Sequence, residues 1–160
     1  MAGPAAGIIL PEPLSQVQKN DIFLYLESIA SQIRGKYDYS IEERPFLYTE
    51  GPETDGTLEV YIEEAVPEVI GWIPQDSISF AAMCNSEQDH RILGELCLYF
   101  AREFEGLVDF GAALGELAEV KGTLFKIPYE QQNGFNLFYH IGDTAFMEYW
   151  LQHPGFHMIK

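Results

Sequence analysis

Apolar residues recur along the chain with two periods, one of two residues and one of three to four, and the periods separate strands from helices. A short apolar run at 7–10, closed by Pro11 and Pro13, predicts a first strand. Ile22, Leu26, Ile29 and Ile33 keep helical spacing and predict a helix over 15–34. Ser15 with Gln18 three positions on forms a capping box, and Gly35 stands where a helix would close. The pattern is mixed over 37–48, where Pro45 predicts an edge or irregular strand. Residues 51–56 read as a turn. Leu58, Val60 and Ile62 then alternate with Glu59, Tyr61 and Glu63, predicting a half-buried strand over 57–64. A loop or broken strand follows over 67–74, then a strand over 77–83.

Leu93, Leu96, Cys97, Phe100 and Phe104 form an apolar stripe that predicts a second helix over 87–104. Ser86 is its N-cap, Glu87 and Asp89 suit its positive end, and Gly106 can close it. Residues 107–110 predict a buried strand, followed by a small-residue loop at 111–115. The stretches 124–129 and 135–141 predict a hairpin around Gln131-Gln132-Asn133-Gly134. Asp143 caps a short helix stopped by His153-Pro154-Gly155, and 156–159 predict a final edge strand. This order predicts an α+β fold, a mostly antiparallel sheet with two main helices packed on one face and a short C-terminal helix. The elements are compatible with two β-α-β-β units, although identity between the halves is too low for a sequence repeat. Residues 1–160 are read as a single domain.

Composition supports a folded core: 47% of residues are hydrophobic and 14% aromatic. Charge narrows the partners. With 25 acidic and 9 basic side chains the formal net charge is −16. Phosphate backbones and anionic membranes would repel such a surface, whereas a basic protein would be steered toward it. Simple solubility accounts for the same charge equally well. Cys84 and Cys97 make neither a disulfide framework nor a zinc site. The N-terminus lacks the basic start of a signal peptide and no run is long enough to span a membrane, so a cytoplasmic location is expected.

Residues 42–68 hold nine acidic side chains and one basic one, Arg44. On the predicted strand, Glu59 and Glu63 flank Tyr61, with Glu64 beside them. An acidic face around an aromatic anchor makes Glu59, Tyr61, Glu63 and Glu64 the candidate partner-binding residues. The competing reading is an ordinary solvated strand face. Catalytic patterns are missing. Glu59 and Glu63 do not face each other across a cleft as paired acid and base would. His90, His140, His153 and His157 lack metal-ligand spacing. The sequence has no G-x-S-x-G elbow, and the loop at 111–115 lacks the lysine and spacing of a phosphate loop. No catalytic residue, metal or cofactor is assigned. A pocket between the sheet and its helices, drawing together His140, Asp143 and Asp109, would favour a small-molecule-binding module or a small enzyme instead. Self-association through the aromatic C-terminal segment is a third reading, and the oligomeric state stays open.

Two stretches, Asp89-His90-Arg91-Ile92-Leu93-Gly94 and Leu107-Val108-Asp109-Phe110-Gly111, resemble a small bacterial family of unknown function. The tail Tyr139-His140-Ile141-Gly142-Asp143, ending in His153-Pro154-Gly155-Phe156-His157-Met158-Ile159-Lys160, shares that resemblance. Such proteins resemble the immunity partners encoded beside polymorphic toxins. The resemblance implies a non-enzymatic inhibitor that binds a toxin polypeptide; the acidic segment 42–68 lies outside its firmest part, as expected of a variable, partner-reading segment.

Overall fold

In the computed structural model, which describes residues 3–51, 57–130 and 136–159, strand β1 (Ala5–Leu10) leads into helix α1 (Gln16–Ile29). The helix begins at the capping box: Gln18 N–H donates to Ser15 Oγ at 3.2 Å, and Ser15 N–H donates to Gln18 Oε1 at 2.9 Å. It ends at Ile29 rather than Arg34. The chain turns extended at Ala30 and forms strand β2 (Ala30–Gly35), which pairs with β3 (Asp38–Ile41). Ser31 fixes this exchange, because its hydroxyl donates to Ser40 O at 3.1 Å and accepts from Glu43 N at 2.9 Å. Tertiary pairing here outweighs helical periodicity. Ile33 is consequently 50% exposed instead of lining a helix face.

Strand β4 (Arg44–Glu50) follows β3 through Glu42 and Glu43, both left-handed with φ of 50° and 64°. A two-residue hairpin favours that geometry, but asparagine and glycine adopt it at far less steric cost than glutamate. Glu43→Gly is therefore expected to raise unfolding stability by about 1 kcal/mol, measured as a higher urea midpoint with an unchanged slope. Pro45 sits second in β4, which is an interior strand flanked by β3 and β5 (Asp76–Ala82), not an edge. Its carbonyl accepts the Met83 N–H at 2.9 Å.

The segment predicted as a strand over 57–64 is helix α2 (Thr57–Glu63), and the stretch read as a loop begins with helix α3 (Val66–Ile70). Helix α4 (Glu87–Glu103), strand β6 (Leu107–Asp109), the hairpin β7 (Leu124–Glu130) and β8 (Asn136–Gly142), and helix α5 (Thr144–Gln152) complete the chain. Residues 52–56 of the turn predicted at 51–56, and the turn predicted at 131–134, lie outside the described residues. The predicted last strand is absent among them: that segment gives β1 one bond, Ala5 N–H to Ile159 O at 3.0 Å.

All pairings in the 8-stranded sheet are antiparallel, in the order β2-β3-β4-β5-β1-β6-β8-β7. The fold is α+β. Each half runs strand, helix, three strands, yet the spatial order of the strands differs between the halves. They interlock through β1 and β5, each half's first strand lying beside the other's. Alternation along β1 then separates two apolar layers. Ile8 and Leu10 pack with α1, α4 and α5, while Ile9 packs on the other side with Tyr61, Val66, Ile70, Ile127, Tyr139 and Ile141. The acidic helices α2 and α3 therefore lie on the opposite side of the sheet from the long helices. Close packing of α4 on α5 depends on Gly94, where a Cβ would come within 2.8 Å of Phe156 Cζ and 2.9 Å of Leu151 Cδ2.

Candidate functional site

Leu58 and Tyr61, one helical turn apart, turn the inner side of α2 onto the sheet. Glu59, Ile62 and Glu63 are left exposed, Ile62 at 58%. Ala65, with φ of 58°, makes the sharp joint to α3, and Gly71 (φ 89°) ends α3. Val66 and Ile70 are buried, while Glu68 and Val69 face outward. The outer surface of the pair thus mixes carboxylates with aliphatic side chains. Of the four sequence-assigned residues, the structure puts Glu59 and Glu63 on this surface. Tyr61 does not join them. It is 4% exposed and belongs to the inner layer, because α2 is a helix and not a strand. Glu64 lies between, at the mouth of a cavity.

That cavity, about 400 Å³, is lined by Val60, Tyr61, Glu64, Asp109, Gly111, Tyr129 and Tyr139. Strand register assembles its floor. Asp109 pairs with Ile141, and Ile127 with Tyr139, so Asp109, Tyr139 and Tyr129 rise from one face of three neighbouring strands. Tyr61 Oη donates to Asp109 Oδ2 at 2.7 Å, and Gly111 N–H donates to Oδ1 at 2.8 Å. Gly111 reaches that position in a left-handed conformation, φ 70°. Burial raises the Asp109 carboxyl above its ordinary pKa and Glu64 adds to the rise, against the two hydrogen bonds. Tyr139 is 5% exposed, and its hydroxyl has no hydrogen-bond partner among the described residues. Burial drives its pKa upward, and the Glu64 carboxylate, which approaches without closing a hydrogen bond of good geometry, adds to the rise. The rings of Tyr129 and Tyr139 lie 5.9 Å apart.

Other candidates do different work. His140 and Asp143 do not converge on Asp109. His140 stands on the opposite face of β8 from Ile141, where Nδ1 accepts the Leu114 N–H at 2.9 Å. Burial, then Lys126, lowers its pKa. Asp143 caps α5 by accepting the Phe146 N–H at 2.7 Å. His90 Nδ1 likewise accepts the Met158 N–H at 2.9 Å and lines a second, more polar cavity with His153 and His157. Among the described residues no three His, Cys, Asp or Glu side chains group as metal ligands, and no helix is long and apolar enough to cross a membrane. Burial pushes the Cys97 thiol to about 12, which leaves it protonated and inert. The cavity lies between the sheet and a helix, as the alternative reading expects, but Asp109 meets Tyr61, Tyr129 and Tyr139 there rather than His140 and Asp143, and Tyr61 is on the inner face instead of the outer one.

A family model described as a family of unknown function (DUF6368) matches residues 2–160. The chain belongs to that family. No curated protein and no solved structure matches it.

Proposed function

We propose that this chain is a non-enzymatic binding protein that engages a basic partner polypeptide through the outer surface of α2 and α3 and neutralises it, as an immunity protein does a bacterial toxin. The observation that carries the reading is that surface itself. Glu59, Glu63 and Glu68 stand among the exposed Val60, Ile62 and Val69, on the side of the sheet away from the long helices. Carboxylates draw a basic partner in and speed its association, while aliphatic side chains that lose water on contact lengthen its residence. A net charge of −16 extends the attraction beyond the contact itself.

The resemblance of 89–94, 107–111 and the tail to a bacterial family whose proteins look like toxin-immunity partners supports the same reading. A second reading, a small-molecule-binding module, draws on the cavity lined by Tyr61, Asp109 and Tyr139.

The test is affinity capture of the tagged chain from its native cells, with a salt wash and mass spectrometry of what remains. One basic polypeptide at near-equal stoichiometry, which arrests growth when expressed alone and not when co-expressed with this chain, is the expected result. Recovery of nothing from cells expressing a neighbouring effector would overturn it in favour of the ligand-binding module.

A further inference from the structure

The cavity under α2 combines features that the partner-binding surface does not require. Asp109 and Glu64 bring two carboxylates to a space of about 400 Å³ whose lining, among the described residues, holds no basic side chain. Asp109 is held in place from both sides, by the Tyr61 hydroxyl and the Gly111 N–H, and each of its oxygens can accept a further bond. Among the described residues no hydrogen bond of good geometry reaches the buried Tyr139 hydroxyl, although the Glu64 carboxylate approaches it, and a ligand able to bond that hydroxyl would relieve the cost of its burial. Rings of Tyr61, Tyr129 and Tyr139 complete the walls, and aromatic faces attract cations brought within about 6 Å. Two carboxylates without a third ligand suit a metal ion poorly, whereas a cationic N–H group can use both carboxylates, the hydroxyl and the rings together.

We propose that this cavity is a binding site for one cationic nitrogen head group, a guanidinium or ammonium, held by Asp109 and Glu64 against Tyr61, Tyr129 and Tyr139. The proposal deepens the partner-binding reading and rests on it only for the source of the cation, an arginine or lysine side chain of the bound polypeptide. A free small amine carries the same chemistry.

Backbone-amide NMR of the full chain at neutral pH, titrated with Nα-acetyl-arginine methylamide, tests it. Saturable shifts at 61–64, 109–111, 129 and 139 are expected. The uncharged citrulline analogue, nearly the same in shape, should bind about tenfold more weakly or not at all. Asp109→Asn should weaken arginine binding by about tenfold. Tyr139→Phe should weaken it by a few-fold without loss of stability, since the hydroxyl it removes makes no hydrogen bond among the described residues; this variant keeps the test valid if Asp109→Asn fails to fold. Methylguanidine separates the sources: equal affinity would assign the site to free head groups, and tighter binding of the arginine derivative to a side chain presented on a polypeptide. Equal shifts with citrulline, or none at these residues with arginine, would overturn the proposal. Neither result would touch the partner-binding surface, which is tested by charge reversal at Glu59 and Glu63.

Discussion

Trp150→Ala is expected to lower the unfolding free energy by about 3–5 kcal/mol, the usual cost of emptying a buried aromatic site. Trp150 is 1% exposed on α5, and its indole N–H donates to His157 O at 2.9 Å. Its ring lies 6.1 Å from Phe146, 5.0 Å from His153 and 6.0 Å from Phe156. One side chain thus joins α5 to the C-terminal tail, which in turn meets β1 through Ile159 and α4 through the His90–Met158 bond. Domains of ordinary stability have about 5–15 kcal/mol to lose, so this variant approaches the unfolding threshold. Urea denaturation followed by circular dichroism reads the change. Trp150→Phe should fall between, because it keeps most of the packing but leaves His157 O unpaired. A loss below about 1 kcal/mol in Trp150→Ala would mean that the tail is not held in this way.

Asp89→Ala is expected to cost about 3 kcal/mol. Asp89 is fully buried and ties the start of α4 to the start of β4. Arg44 donates from Nε to Oδ1 at 2.9 Å and from Nη2 to Oδ2 at 2.7 Å. Oδ2 also accepts from the Ser86 N–H and hydroxyl, both at 2.7 Å, closing the capping box of the helix. Burial alone would raise the carboxyl's pKa, but the Arg44 and Ser86 hydrogen bonds outweigh it and bring the pKa to about 2 from an ordinary 3.8. The sign of the pH effect follows from that depression. The stability it adds is complete above the unfolded value and disappears as pH falls from about 4 through 2. Asp89→Asn, which cannot ionise, should start lower at neutral pH and lose less across that acid range. Parallel acid profiles for wild type and Asp89→Asn would show that another carboxylate governs the transition.

Local chemistry was legible in the sequence wherever it acts within a few residues. Ser15 with Gln18, Ser86, and Asp143 cap the helices they were expected to cap, because each bond spans three positions, and Asp89 completes a box with Ser86 beyond its expected charge role. The hairpin 124–141 was likewise marked by its own turn and alternation. Long-range pairing was not legible. Residues 30–35 carry a helical stripe, yet β3 claims them as a strand once Ser40 and Ser31 come together. Over 57–63 the alternation of glutamates with aliphatic residues suggested a strand only because Tyr61 was counted on the polar side. Counted as apolar, Leu58 and Tyr61 share helical spacing and point to the face that is buried. The cavity lay further out of reach, since Asp109, Tyr129 and Tyr139 meet only through the pairing of β6, β8 and β7.

The most direct measurement of partner binding compares salt-resistant capture by three forms of the chain: wild type, Glu59→Lys/Glu63→Lys, and the control Glu12→Lys/Glu103→Lys. The control makes the same change in net charge at exposed positions outside α2 and α3. Retention of one basic polypeptide by wild type and control, with its loss from Glu59→Lys/Glu63→Lys at unchanged thermal stability, is the expected result. Equal retention by both variants, or equal loss from both, would contradict a partner surface on α2 and α3.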